Sequence, residues 1–238
     1  MNCSWEAAYE RELRNNTDDA EDEGVIWFDE SNAEDTVLKK LAEYDGSNRA
    51  LLDRETARFL DLGTGNGHML FALCEDEDDD GSYWRGKMVG VDYSPKSVEL
   101  AKQLLSQRQA TSTEEDDGCD FANLQFEQWD LLSELPGEWL GKRFDAVLDK
   151  GTFDAISLMP VDASSPHPCQ TYREKVVNLI KPGSFLIITS CNWTRDELID
   201  WLAPANGSLK LFDEAKYPSF TFGGQTGQSV VTLVFQRT

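Results

Sequence analysis

From residue 59 onward the chain alternates short apolar runs with amphipathic stretches, and four of the runs carry an aspartate at or next to their last residue. The runs are Phe59-Leu60-Asp61-Leu62, Met88-Val89-Gly90-Val91-Asp92, Leu124 to Asp130, and Phe144-Asp145-Ala146-Val147-Leu148-Asp149. Near-continuous apolar runs between helices read as strands buried on both faces, and Leu124–Asp130, which alternates apolar with polar, as a third strand. Strands that alternate with helices build a mostly parallel sheet with helices on both faces, an α/β fold. All the strand-end acids then meet at one edge of that sheet. A single such acid is ordinarily a helix cap; Asp61, Asp92 and Asp130 together point to a ligand.

The connecting segments fit this plan. Residues 66–74 read as a helix, and Ser94-Pro95 opens another, with Val98, Leu100, Ala101, Leu104 and Leu105 as its apolar face. A helix over Tyr172–Ile180 is expected to end at Lys181-Pro182-Gly183, ahead of a fifth strand, Phe185–Thr189. After a helix over 194–202, two late strands near 208–213 and 229–236 are expected to pair as a terminal hairpin. Residues 1–54 form an N-terminal helical segment or lid, with Trp5, Tyr9 and Leu13 at helical spacing and an aromatic patch at Val25-Ile26-Trp27-Phe28. Residues 55–238 form one folded unit, with no internal repeat.

Asp61-Leu62-Gly63-Thr64-Gly65-Asn66-Gly67 sits where the first strand turns into the first helix. Small residues there let a ligand approach the backbone. The dinucleotide pattern is Gly-x-Gly-x-x-Gly; this loop is Gly-x-Gly-x-Gly with an acid before it, which suits a cationic ligand better than a pyrophosphate. Asp92, ending the second strand, is placed to accept ribose hydroxyls, and Asp130, ending the third, an adenine amino group.

With these two late strands, the loop and the ribose acid resemble the seven-stranded, Rossmann-like S-adenosylmethionine-dependent methyltransferases. The resemblance implies that Gly63, Thr64, Gly65, Asn66 and Gly67 line the methionine end of the cofactor, beside Asp61. It implies that Asp92 holds the ribose, that Trp129, Asp130 and Leu131 flank the adenine, and that Tyr93 and Ser94 also belong to the cofactor site. The product would be S-adenosylhomocysteine. After strand four this chain has Asp149-Lys150-Gly151-Thr152-Phe153, without the Pro-Pro pair that cradles a planar amide or base. That loop, Thr189-Ser190-Cys191-Asn192-Trp193-Thr194, the stretch Phe220–Val230, Trp5-Glu6-x-x-Tyr9 and Ile26-Trp27-Phe28 resemble the lysine methyltransferases of translation elongation factor 1-alpha. The implied partner is that factor. A lysine has a pKa near 10.4, so only about one in 2,000 is neutral and nucleophilic at pH 7, and the site must help it lose a proton. Asp149 is expected to orient cofactor or amine, with Asp149, Phe153 and Trp193 as the catalytic set. Phe153, Trp193 and Phe222 are expected to wall the lysine channel, and Trp27 to cover the cofactor.

Charge narrows the partners. The chain of 238 residues holds 44 acids against 22 bases, a net −22, which argues against direct nucleic-acid contact and favours a basic partner. The acidic runs at 18–23, 75–80 and 114–117 read as solvated loops. No run is long enough to span a membrane, and Met1–Glu6 does not read as a signal peptide. The five cysteines form no Cys-x-x-Cys pair and the two histidines lie far apart, so free thiols and no metal are expected. A cytoplasmic monomer is the expectation, with the nucleus also open. Competing readings are a methyltransferase on another protein or a small molecule, and an idle scaffold that binds no S-adenosylmethionine. A NAD-dependent oxidoreductase fits less well, because the loop spacing is not the dinucleotide one.

Overall fold

A computed structural model describes residues 2–45, 50–78, 81–111, 118–161, 166–218, 220–222 and 225–238, except for the side chains of 2–4, 220–222 and 225–227. Helices α1 (Asn2–Asp18) and α2 (Ala33–Asp45) precede β1 (Phe59–Leu62), α3 (His68–Cys74), β2 (Met88–Asp92), α4 (Pro95–Thr111), β3 (Leu124–Gln128) and β4 (Phe144–Lys150). Then come α5 (Thr152–Ser157), α6 (Pro168–Val176), β5 (Ile180–Ser190), α7 (Arg195–Leu202), β6 (Leu209–Glu214), β7 (Phe220–Phe222), β8 (Gln225–Gly227) and β9 (Val231–Arg237).

Seven strands form one sheet in the order β3-β2-β1-β4-β5-β9-β6. The first five are parallel, and β9 runs antiparallel between β5 and β6. The apolar runs explain the order. Thr232–Phe235 is buried at every position, as an interior strand must be, whereas β6 alternates buried and exposed, as an edge strand does. The late strands therefore pair as expected, but the chain between them carries the small β7–β8 ladder. Strand order reverses between β1 and its neighbours β2 and β4, and such a switch point opens a crevice at the strands' carboxyl ends. There, Asp61 lies opposite Leu148, and Leu62 opposite Asp149.

Alternate residues feed two cores. Phe59, Met88, Phe126, Ala146 and Phe185 pack on one face of the sheet; Leu60, Val89, Val147 and Leu186 pack on the other. The expected helix through Ile180 ends earlier, at Val176, and β5 begins at Ile180. Lys181-Pro182-Gly183 bulges out of that strand: the register on β4 jumps from Phe144–Ile180 to Ala146–Phe185. Pro182 has no N–H for the ladder, and Gly183 takes φ +83°.

α1 is locked onto α4 by a buried Asn16. Gln103 and Gln107 donate to its Oδ1 at 2.7 and 3.1 Å, and its Nδ2 donates to the Asp22 carbonyl at 2.9 Å. Two expectations about the surface change. Cys74 and Cys119 form a disulfide with Cα atoms 5.2 Å apart, because the end of α3 meets the segment before β3; Cys169 and Cys191 are free. Part of the acidic tract is structural rather than solvated: buried Arg54 pairs with Asp76 at 3.3 Å and Asp45 at 2.9 Å, and Arg108 pairs with Glu75 and Glu23. No helix among the described residues is long and apolar enough to cross a membrane, and among those residues no cluster of His, Cys, Asp and Glu has metal-binding geometry.

Candidate functional site

The turn from β1 into α3 uses Gly63, Gly65 and Gly67 at φ +65°, +58° and +85°. Each glycine meets a different neighbour. A Cβ on Gly63 would collide with the Thr152 hydroxyl, and one on Gly67 would come 2.7 Å from the Phe126 ring. Only Gly65 faces the lid, where a Cβ would sit 3.0 Å from the Tyr9 hydroxyl. Above this turn lies an open-mouthed cavity. The loop lines it with Asp61, Gly63, Thr64, Gly65 and Asn66, α3 with His68 and Met69, and β4 with Lys150. Tyr9, Val25 and Trp27 close it from the N-terminal side. Gly67, expected among the lining residues, is instead the packing residue that starts α3.

Asp61 is fully buried at the floor. Burial pushes its carboxyl up to about 7, against the pull of the Lys150 ammonium. Asp92 receives the Gly65 N–H on Oδ2 at 3.1 Å and the Ser94 N–H on Oδ1 at 2.9 Å. It thus ties the second strand end to the glycine loop, and lone pairs remain for hydroxyl donors. Ser94 is buried, and its Oγ accepts the Ser97 N–H. Beside Asp92, the Tyr93 hydroxyl and the Trp129 Nε1–H are buried without a partner. Trp129 and Leu131 are buried, and Trp129 packs edge-on against Trp139. Asp130 is half-buried; its oxygens accept Leu132 N–H at 2.8 Å and Ser133 Oγ–H at 2.7 Å, so it organises its own turn.

The loop after β4 is bound to this cavity on both sides. Thr152 donates its hydroxyl to the Leu62 carbonyl at 2.7 Å, so the loop buttresses the glycine turn. Gly151, at φ +89°, lies under the Phe28 ring, 3.1 Å from where a Cβ would stand. Lys150 Nζ donates to the Trp27 carbonyl at 2.8 Å and lies 3.7 Å from Glu34, whose other oxygen contacts His68 Nδ1 at 2.5 Å. Trp27 in turn packs edge-on against Trp5 of α1, at 4.9 Å. The N-terminal segment is thus a lid fastened to the cavity at Lys150 and Gly151.

Asp149 does not line this cavity. Its Oδ1 accepts the N–H groups of Thr152 and Phe153 at 2.9 and 3.2 Å, and its Oδ2 accepts the Tyr172 hydroxyl at 2.6 Å. It is buried, its carboxyl pushed up to about 7 by desolvation, and it satisfies the first two N–H groups of α5. Phe153, expected in the channel wall, has no exposed surface: its ring packs on Tyr172 and Trp193 at 5.0 and 6.1 Å. Trp193 is half-buried in the loop after β5, with its Nε1 unpartnered. The described residues leave out the Phe222 side chain.

Asp154 joins these two loops. It accepts Ser190 Oγ–H at 2.5 Å and Cys191 N–H at 2.8 Å, while Ser190 Oγ receives the N–H groups of Asn192 and Trp193. The sequence reading missed Tyr9, His68 and Lys150. Tyr9 shares a helical stripe with Trp5, the one signal that faced it toward the site. Nothing local marked Lys150, because its partner is more than a hundred residues away.

A methyltransferase-domain family model matches residues 53–217. Protein-lysine N-methyltransferase EFM4 of Saccharomyces cerevisiae is 37% identical, over 97% of this chain and 91% of that protein. EEF1A lysine methyltransferase 2 of Homo sapiens is 33% identical, over 98% and 84%. The chain belongs to this family of protein-lysine N-methyltransferases. Among solved structures, the methyltransferase fold recurs in a TehB-like S-adenosylmethionine-dependent enzyme of Corynebacterium glutamicum (TM-score 0.57, 16% identity, 98% of each chain). N-methyltransferase NodS of Bradyrhizobium japonicum, in complex with S-adenosylhomocysteine, is similar to the same degree (TM-score 0.57, 14% identity, 98% of each chain).

Proposed function

We propose that the chain is an S-adenosylmethionine-dependent methyltransferase that modifies a lysine side chain of translation elongation factor 1-alpha. The observation that carries this reading is near-full-length similarity to a yeast enzyme named a protein-lysine N-methyltransferase and to vertebrate enzymes named EEF1A lysine methyltransferase 2.

The residues present suit the cofactor. A buried acid, Asp61, and the glycine turn both line the cavity, and the ammonium of the cofactor's amino-acid end matches that acid. The orphaned Tyr93 hydroxyl and Trp129 Nε1–H lie beside Asp92, where a nucleoside offers polar partners. Bound S-adenosylmethionine supplies a methyl group on a sulfonium, which an in-line amine can take. This chain's own residues then have three tasks. Asp61 and the glycine loop bind the amino-acid end, and Asp92 the ribose. The lid residues Tyr9 and Trp27 exclude water, which strengthens every electrostatic contact beneath them. The Asp154–Ser190 linkage holds Trp193 beside the loop after β4, where its half-buried ring can meet a substrate segment. Alignment of amine, methyl and sulfur carries much of such a reaction.

The acidic surface favours a basic protein partner. We place the enzyme in the cytoplasm, acting as a monomer. The expectation of free thiols no longer supports this placement at Cys74 and Cys119. The test is mass spectrometry of purified elongation factor 1-alpha after incubation with the enzyme and cofactor. One lysine gaining 14-Da increments, about the mass of a CH₂, is expected; an unmodified factor alongside methylation of another protein overturns the substrate.

A further inference from the structure

We propose that Lys150 is the counter-ion for the cofactor's α-carboxylate, so that one ammonium fastens both the bound cofactor and the lid. The argument starts from charge. The amino-acid end of S-adenosylmethionine carries an ammonium and a carboxylate, and an anion removed from water needs a paired cation or several hydrogen bonds. Asp61 is an acid and suits the ammonium. Among the described residues lining the cavity, only Lys150 carries a permanent positive charge.

Geometry supports the same assignment. The Lys150 side chain is 14% exposed, so a pair formed there is shielded. Its ammonium has three donors. One is given to the Trp27 carbonyl at 2.8 Å, and Glu34 lies at 3.7 Å, beyond a good hydrogen bond. Donor capacity is therefore left for a ligand on the side of Gly63 and Gly65. Glu34 is already engaged by His68 at 2.5 Å. That contact keeps the imidazole more basic than usual. The strand register explains why position 150 serves: β4 runs one residue beyond the end of β1, and Lys150 follows Asp149, the partner of Leu62. Its stem rises over the glycine turn to reach the lid.

The inference rests on S-adenosylmethionine being the cofactor and is independent of the protein substrate. The test is calorimetric binding of two ligands that differ only in the carboxylate: S-adenosylhomocysteine and its decarboxylated analogue, 5′-deoxy-5′-(3-aminopropylthio)adenosine. The wild-type chain is expected to prefer the first by roughly 10- to 100-fold, the range for a hydrogen bond to a charged group. In Lys150→Met the preference should fall to about threefold or less, and Lys150→Arg should restore most of it. The analogue itself reports whether the Met variant is folded and competent. A preference unchanged in Lys150→Met, or an equal loss of both ligands in Lys150→Met and Lys150→Gln, overturns the assignment. A wild-type chain that binds neither ligand overturns the cofactor reading instead.

Discussion

The turns that follow β1 and β4 are built alike and do different work. Each has a buried strand-end aspartate, a glycine at positive φ and a short helix. Burial pushes both carboxyls, Asp61 and Asp149, up to about 7. Their partners separate them. Asp149 accepts two backbone N–H groups and the Tyr172 hydroxyl, so its oxygens are committed to the fold. Asp61 faces a cavity, with Lys150 as its nearby cation. Desolvation alone thus does not mark a functional acid; what decides is whether the group's hydrogen-bonding capacity is already used.

The largest effect expected from this contrast is at Asp149. Asp149→Ala orphans three donors and should lower unfolding free energy by about 2–4 kcal/mol, read from urea denaturation. An unchanged midpoint with methylation abolished would return Asp149 to the catalytic set. Asp61→Asn should do the reverse: binding of S-adenosylhomocysteine weakens roughly 10- to 100-fold, while stability stays within about 1 kcal/mol because a buried charge is lost with little else. Comparable destabilisation by both variants would erase the distinction.

The two acids also predict opposite readings of pH. Each folded-state carboxyl titrates near 7, above its unfolded value near 3.9. The folded state therefore holds the protons longer, and the stability these groups confer is full below about pH 4 and lost as pH rises toward 7. Asp149→Ala should flatten part of that slope. Cofactor binding should respond the other way: a protonated Asp61 cannot pair with the ammonium, so affinity should fall as pH drops below about 7. Asp61→Asn should remove that dependence, and a wild-type affinity constant from pH 5.5 to 8 would break the account. Smaller effects are expected where the second loop only supports the first. Gly151→Ala should cost about 1–2 kcal/mol, because alanine resists φ +89°, and it should push Phe28 outward, raising Trp27 fluorescence sensitivity to quencher. Tyr172→Phe should cost about 1 kcal/mol, with activity near normal.

How far the sequence could be read followed the range of the interactions. The strands were legible because burial on both faces leaves an unbroken apolar run, as in Val147-Leu148 and Leu186-Ile187-Ile188. Asp61, Gly63, Gly65 and Asp92 were legible because the loop chemistry is local. Phe153, expected in a channel wall, is buried against Tyr172: one aromatic residue after a strand looks the same whether it faces a cavity or a core. The Cys74–Cys119 pair and the ion pairs of Asp76 and Glu75 were hidden for a related reason, since their partners lie 45, 22 and 33 residues away.

By itself, the sequence determined the α/β class, the site's edge of the sheet and the glycine turn, because periodicity and turn chemistry act over a few residues. Tertiary structure alone decided which strand-end acid is open and which is spent. It also decided that Lys150 reaches back across the chain to the carbonyl of Trp27. Hydrogen bonds and ion pairs depend on distance in space, and only the folded sheet brings β4 and the N-terminal lid within reach of each other.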